Sequence, residues 1–300
     1  MFTVIKQHLP WWGKIAAKLV LSRSPISYNF WHKLGIFRHG GMDSPAYALN
    51  VFEAHASQAV LRYGSLHGMT ILEMGPGDSV ATAIISKCYG ARAILVDVGH
   101  FAEYGDFRHY LALCEMLRKR GLNPPNISSA RTLQDVLSVC DGEYLTEGLA
   151  SWRRIPPNSV DFVFSQAVLE HTLKEEFLLT MQECRRVMKP GSFASHRVDL
   201  RDHLGGALNN LRFSEQIWES SLFRSSGFYT NRIRYSDMLK VFEAAGFIVE
   251  KSEVRRWDEL PTPREKLTLP FSNMPKTELC IRGFDVGLRV PGSRSLEMCV

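Results

Sequence analysis

The chain has 300 residues, 45% hydrophobic and 22% charged, with a formal net charge of +5 at pH 7. That composition supports a full hydrophobic core and excludes disordered, collagen-like and small disulfide-rich classes. The positive excess lies in residues 1–50, where Lys6, Lys14, Lys18, Arg23, Lys33 and Arg38 face Asp43 alone, so the rest lacks the dense basic stripe that a nucleic-acid partner would require.

Pro10 suits the first position of a helix over 10–22, because its fixed φ is already helical. Trp11, Trp12, Ile15, Ala16, Leu19 and Val20 share one face of that helix, opposite Lys14 and Lys18. The expected role is packing on the main domain; the alternative is a peripheral contact with an anionic membrane through residues 10–22, which Trp and Lys favour. Residues 24–42 read as an irregular connector and 47–63 as a helix entering the core. From Met69 onward, short apolar runs alternate with helical segments, the pattern of βαβ units around a parallel sheet. Strands are predicted over 70–74, 93–98, 144–146, 160–165 and 192–200, with helices over 79–89, 110–120 and 174–188. Residues 201–234 are polar and aromatic and interrupt the alternation; a helix over 236–245, stopped by Gly246, and strands over 247–257 and 278–290 complete the chain. The expected fold is α/β: a Rossmann-like, seven-stranded, mostly parallel sheet with helices on both faces. The expected domains are a basic helical N-terminal extension, 1–55, and a main domain, 56–300, with an acceptor-side insertion at about 201–235.

The six cysteines show no C-x-x-C pair and no zinc-like spacing, which fits a reducing compartment. With neither a membrane-length apolar run nor a secretory leader pattern, a cytoplasmic location is expected, membrane-peripheral if the N-terminal helix docks on lipid.

The first strand ends in ILEMGPGDSV, so Gly75 and Gly77 occupy the turn between a strand and a helix. Glycine lets the backbone approach a ligand, and the following helix offers unpaired N–H groups. Asp97, twenty residues past Gly77, closes the second strand, where a carboxylate can accept hydrogen bonds from ribose hydroxyls. Together these features point to a nucleoside site. A dinucleotide site, and hence an NAD(P)-dependent oxidoreductase, would need a third glycine where Val80 stands, and Glu73 suits a cationic ligand better than a pyrophosphate.

These residues resemble the class I S-adenosylmethionine-dependent methyltransferases, specifically the type 11 group. The resemblance rests on Glu73, Gly75 and Gly77, on IPPNSVDFVFSQAVLEH at 155–171, and on RRVMKPGSF at 185–193. It spans about 69–200 and implies S-adenosyl-L-methionine as cofactor. Glu73, Gly75 and Gly77 would then hold its methionine end, Asp97 the ribose and Glu147 the adenine, with Ser165 and Gln166 lining the transfer site. Ser79 in place of a third glycine, and MKPGS without a second one, are departures from the family pattern.

The sulfonium methyl is already activated, so the protein must align the acceptor and exclude water; an oxygen or nitrogen acceptor also calls for a base. His171 is the candidate base, the alternative being a role in packing the helix start. In SHRVDLRDH, 195–203, His196 and Asp199 are further catalytic candidates and His203 a substrate contact. A cation could also bind there, but a solvated strand end with local salt bridges to Arg197 and Arg201 is the expectation, so no metal is assigned. Tyr229, Asn231 and Arg232 in the insertion are candidate acceptor contacts. The expected acceptor is a polar small molecule or glycan, methylated on oxygen. Besides the oxidoreductase, the alternatives are a non-catalytic nucleoside-binding module and a membrane-peripheral module on the same fold.

Overall fold

The computed structural model describes residues 10–21 and 41–292. The connector predicted over 24–42, apart from its last two residues, and the basic residues Lys6, Arg23, Lys33 and Arg38 lie outside the described residues. The first helix, α1 (Trp11–Leu21), is followed by α2 (Pro45–Tyr63) and then by a regular alternation. This comprises β1 (Thr70–Met74), α3 (Ala81–Cys88), β2 (Arg92–Val96), α4 (Arg108–Lys119), α5 (Leu133–Cys140), β3 (Glu143–Leu145), α6 (Leu149–Trp152) and β4 (Val160–Gln166). Then come α7 (Phe177–Val187), β5 (Met188–Asp199), the short helices α8 (Glu215–Trp218) and α9 (Ser221–Arg224), α10 (Tyr235–Ala244), β6 (Ile248–Arg256), α11 (Lys276–Leu279) and β7 (Ile281–Arg289).

The seven strands form one sheet in the order β3-β2-β1-β4-β5-β7-β6. β1 to β5 are parallel, and β7 enters antiparallel between β5 and β6. The chain leaves β1 in one direction and returns to its other side at β4, so the carboxyl ends of these two strands diverge into the crevice where open α/β sheets bind ligands. Alternation of side chains splits the core into two layers. Ile71, Leu95, Phe162 and Phe164 pack under α2 to α5, while Leu72, Val96, Val163 and Ala194 pack under α7 and α10. Strands covered on both faces read as continuous apolar runs, which is why β1, β2 and β4 stand out in the sequence. β6 ends the sheet and carries Glu250, Lys251, Glu253 and Arg255, charges that blunt an open edge.

One boundary and one side chain depart from the expectation. Helix α2 runs through residue 55 and buries Ala48, Leu49, Val51 and Phe52 in the main core, so the sheet packs on residues placed in the N-terminal extension. Helix α1 packs through Ile15, Trp11 and Leu19 against Leu204, Trp218, Phe223, Phe228 and Tyr229. Arg212 lies over the Trp11 ring, and Lys18 Nζ reaches the Gly227 carbonyl. Trp12, assigned to the packed face, is 63% exposed instead, because the buried stripe is centred on Ile15. No described helix is long and apolar enough to cross a membrane.

Candidate active site

Helix α3 begins just beyond the glycine turn. Gly75 and Gly77 both adopt positive φ, 66° and 65°, a region costly for side-chain-bearing residues. A Cβ on Gly75 would stand 2.6 Å from a Val168 methyl carbon, so the close approach that needs glycine here is to the loop after β4. Val80 is fully buried and its N–H donates to the Tyr110 hydroxyl; the missing third glycine is a core position.

Glu73 lies on the α3 side of β1, 1% exposed, and its Oε2 accepts no hydrogen bond. Burial pushes its carboxyl up to about 8, with the Thr82 hydroxyl pulling the other way and the Asp97 charge adding to the rise. Such a group is stabilised by a cation brought to it. Asp97 is also buried, which raises it to about 6. Its Oδ2 accepts the Gly77 N–H (3.0 Å) and its Oδ1 the Val98 N–H (2.7 Å), so it ties the turn after β1 to the end of β2. Each oxygen keeps a second lone pair, the one a ribose hydroxyl would use. Beside it Val98 is 78% exposed, an apolar face at the same strand end that sequence reading passed over; an exposed valine has no pattern to betray it.

Glu147 is exposed and starts the turn into α6, its N–H donating to Ser151 Oγ. Gln166 faces α2, where its Oε1 accepts from His55 Nε2 (3.1 Å); that leaves His55 Nδ1 to accept from Ser195 Oγ (2.8 Å). Ser165 points to the other face, fully buried, with Oγ 2.8 Å from His196 Nδ1. His196 is itself 0% exposed, against Phe242, and burial drives it down to about 3. The two residues face the core, so His196 is not placed to take an acceptor's proton and Ser165 is not placed to line a transfer site.

The insertion also differs from expectation. Tyr229 spends its hydroxyl on Glu219, Asn231 donates its amide to the Leu169 and Thr172 carbonyls, and Arg232 donates to the Phe213 carbonyl and Glu215. Arg232 also lies over the rings of Trp218 and Phe271. All three are at most 5% exposed; Tyr229 and Asn231 fasten the insertion to the segment after β4, Arg232 ties the insertion to itself, and none is presented to an acceptor. Asp202 likewise gathers the N–H groups of Leu204, Gly205, Gly206 and Asn209.

His171 and His203 do come together, their rings 4.6 Å apart between centroids. His171 Nδ1 lies 2.9 Å from the Tyr229 carbonyl oxygen, so Nδ1 carries the proton and Nε2 the lone pair. Burial lowers His203, against the pull of Asp199. Asp199 itself is raised by burial but held below the usual carboxylate range by Arg201, which grips both its oxygens; that makes it a weak base. Glu170, not singled out from the sequence, is 1% exposed beside this pair, with Oε1 accepting the Asp199 N–H and Oε2 accepting nothing. The cluster stands at the carboxyl ends of β4 and β5, on the same edge of the sheet as the glycine turn.

Residues 113–195 match the family model described as a methyltransferase domain, type 11. The match runs from within α4 into β5 and covers two of the three motifs behind the resemblance; the glycine turn lies before it. No curated protein sequence matches the chain. Among solved structures, the chain is similar to a chain from the Haloferax volcanii complex between the Trm112 methyltransferase activator and a protein assigned as a methyltransferase, at 14% identity and TM-score 0.45, covering 90% of this chain and 99% of that one. It is also similar to an S-adenosylmethionine-dependent methyltransferase of Methanosarcina mazei, at 14% identity and TM-score 0.42 over 78% and 98% of the two chains. A third is Haemonchus contortus phosphoethanolamine N-methyltransferase 2 with bound S-adenosyl-L-methionine, at 16% identity and TM-score 0.42 over 79% and 52%. The sheet order is that of a Rossmann-like α/β fold, and residues 113–195 within it carry the match to a methyltransferase domain.

Proposed function

We propose that this domain moves the methyl group of S-adenosyl-L-methionine to an oxygen of a polar small molecule or glycan. The observation that carries the cofactor reading is Glu73, a buried carboxylate with an unsatisfied oxygen beside the Gly75–Gly77 turn. A ligand with an ammonium group supplies the missing partner, whereas a pyrophosphate would be repelled. Asp97 and the exposed face of Val98 offer ribose and adenine their contacts at the next strand end. When bound, the cofactor supplies an activated methyl group; this chain's own task is to orient the acceptor and manage its proton. The His171–His203 pair with Glu170 is the group of residues available for that second task.

Calorimetry with S-adenosylhomocysteine and, separately, NAD tests the reading. Saturable binding of the first and none of the second is expected; the reverse would return the domain to dinucleotide chemistry. His171→Ala should lower turnover of an accepted substrate by about a hundredfold or more with cofactor affinity kept. Unchanged turnover would remove His171 from the reaction.

A further inference from the structure

Glu170, His171 and His203 each offer one ligand atom, and these atoms lie within 4.8 Å of one another. Two of the residues come from the segment after β4 and the third from the segment after β5, so the sheet brings them together. Glu170 is the unusual member, a buried carboxylate with an oxygen that accepts nothing. Of the guanidiniums around it, Arg201 grips both oxygens of Asp199, Arg232 donates to the Phe213 carbonyl and Glu215, and Arg234 donates to the Leu200 and Ile281 carbonyls, so none of them hydrogen-bonds the open oxygen.

We propose that Glu170, His171 and His203 form a binding site for a divalent first-row transition-metal ion. Two imidazoles and one carboxylate suit zinc, cobalt, iron or manganese rather than magnesium or calcium, which take oxygen donors. His171 is already held as a metal ligand needs to be, its Nδ1–H donated to the Tyr229 carbonyl and its Nε2 carrying the lone pair. Donors bound tetrahedrally at about 2.0–2.2 Å stand roughly 3.3–3.6 Å apart, so ring rotations of about an ångström close the cluster on an ion. Three protein ligands leave coordination positions open. On the methyl-transfer reading, on which this role rests, an acceptor hydroxyl would bind at one of them and release its proton to solvent water; its oxygen would then form the O–CH3 bond as the S–CH3 bond breaks and S-adenosylhomocysteine leaves. The reading of a salt-bridged strand end holds for Asp199 with Arg201, but Arg197 pairs with Asp285 across the sheet, and neither pair accounts for Glu170.

The test uses full-length, untagged protein stripped of metal with a chelator. Titration with cobalt(II), followed by visible absorption and by calorimetry, should show saturable binding of about one ion per chain. Glu170→Gln and His203→Asn should each weaken it at least tenfold, while His100→Asn, at a distant strand end, leaves it unchanged. Binding of S-adenosylhomocysteine by the same variants shows that they are folded, and it separates the two readings: loss of cofactor binding in the unaltered protein would overturn methyl transfer without touching the metal site. No saturable cobalt binding, binding that survives both substitutions, or binding of magnesium alone would each overturn the proposal.

Discussion

Replacing Glu73 with Gln keeps the side chain's shape and removes its charge, which isolates the property the cofactor reading depends on. In the ligand-free fold burial holds this carboxyl at about 8 against an ordinary 4.5. A raised acid binds a proton in the folded state that the unfolded chain has lost, so stability falls as pH rises through that window. At roughly 1.4 kcal/mol per pH unit, the penalty above pH 8 is of the order of several kcal/mol. Glu73→Gln should therefore melt above the unaltered protein at pH 8.5 and coincide with it near pH 4.5. Ligand binding should show the opposite preference. At pH 7 the carboxyl is mostly protonated and must ionise to meet an ammonium group, so binding of S-adenosylhomocysteine should release close to one proton, about tenfold in affinity being gained per pH unit between 6 and 7.5. Calorimetry in buffers of different ionisation enthalpy measures that release directly. In Glu73→Gln the release should vanish and affinity should fall at pH 7.5. A variant that binds as tightly and with the same proton release would refute the assignment of Glu73 to the ammonium end.

Further outcomes follow from the same geometry. Asp97→Ala removes both the ribose partner and the acceptor for the Gly77 and Val98 amides, so cofactor affinity should drop; because burial raises this acid to about 6, the ionised carboxyl costs stability above that pH, and the variant should lose less stability at pH 7.5 than at pH 5 in denaturant titrations; unchanged affinity would remove Asp97 from the ribose. Gly75→Ala places a Cβ 2.6 Å from Val168 at a φ of 66°. It should destabilise by about 2–3 kcal/mol, and Val168→Ala in the same chain should recover the steric part but not the backbone strain. His55 and His196 are held neutral in the fold, at about 4 and about 3. The unfolded chain gains protons below 6.5 that the fold refuses, so these two side chains subtract stability as pH falls from 6.5 towards 4, against the opposite contribution of Glu73 and Glu170, and the melting-temperature difference between His55→Gln and the unaltered protein should move in favour of the variant between pH 7.5 and pH 5.

The sheet was legible because its central strands are buried on both faces. TILEM, RAILV and VDFVFSQ are apolar runs bounded by turn residues, and a run of that kind marks a strand however its neighbours pack. Helix α5 was missed although its signal is present: Thr132 and Asp135 form a capping box, followed by Val136, Leu137 and Cys140 at helical spacing. Eight residues simply make a weak periodicity. The three short helical turns of the insertion (209–212, α8 and α9) have no sequence period long enough to read.

Side-chain direction set the limit within the site. Glu73, the glycines and Asp97 were readable because a strand end followed by a turn has one exit, and backbone geometry fixes where those residues stand. Ser165 and Gln166 are consecutive on β4, so the pleat sends them to opposite faces; whether either meets solvent depends on α2 and α10, which no local pattern reveals. The polar residues of the insertion misled for a related reason. Tyr229, Asn231 and Arg232 look like a recognition surface by composition, yet an irregular segment packed on a core must satisfy its own and its neighbours' carbonyls and amides. Asn231 does this for the loop after β4, Arg232 for Phe213, and Tyr229 for His171 through its carbonyl. The consequence is mechanistic: the insertion acts on the site through the backbone it holds, and a substitution at Asn231 should be felt at Glu170 and His171, whose segment it anchors, before it is felt by any acceptor.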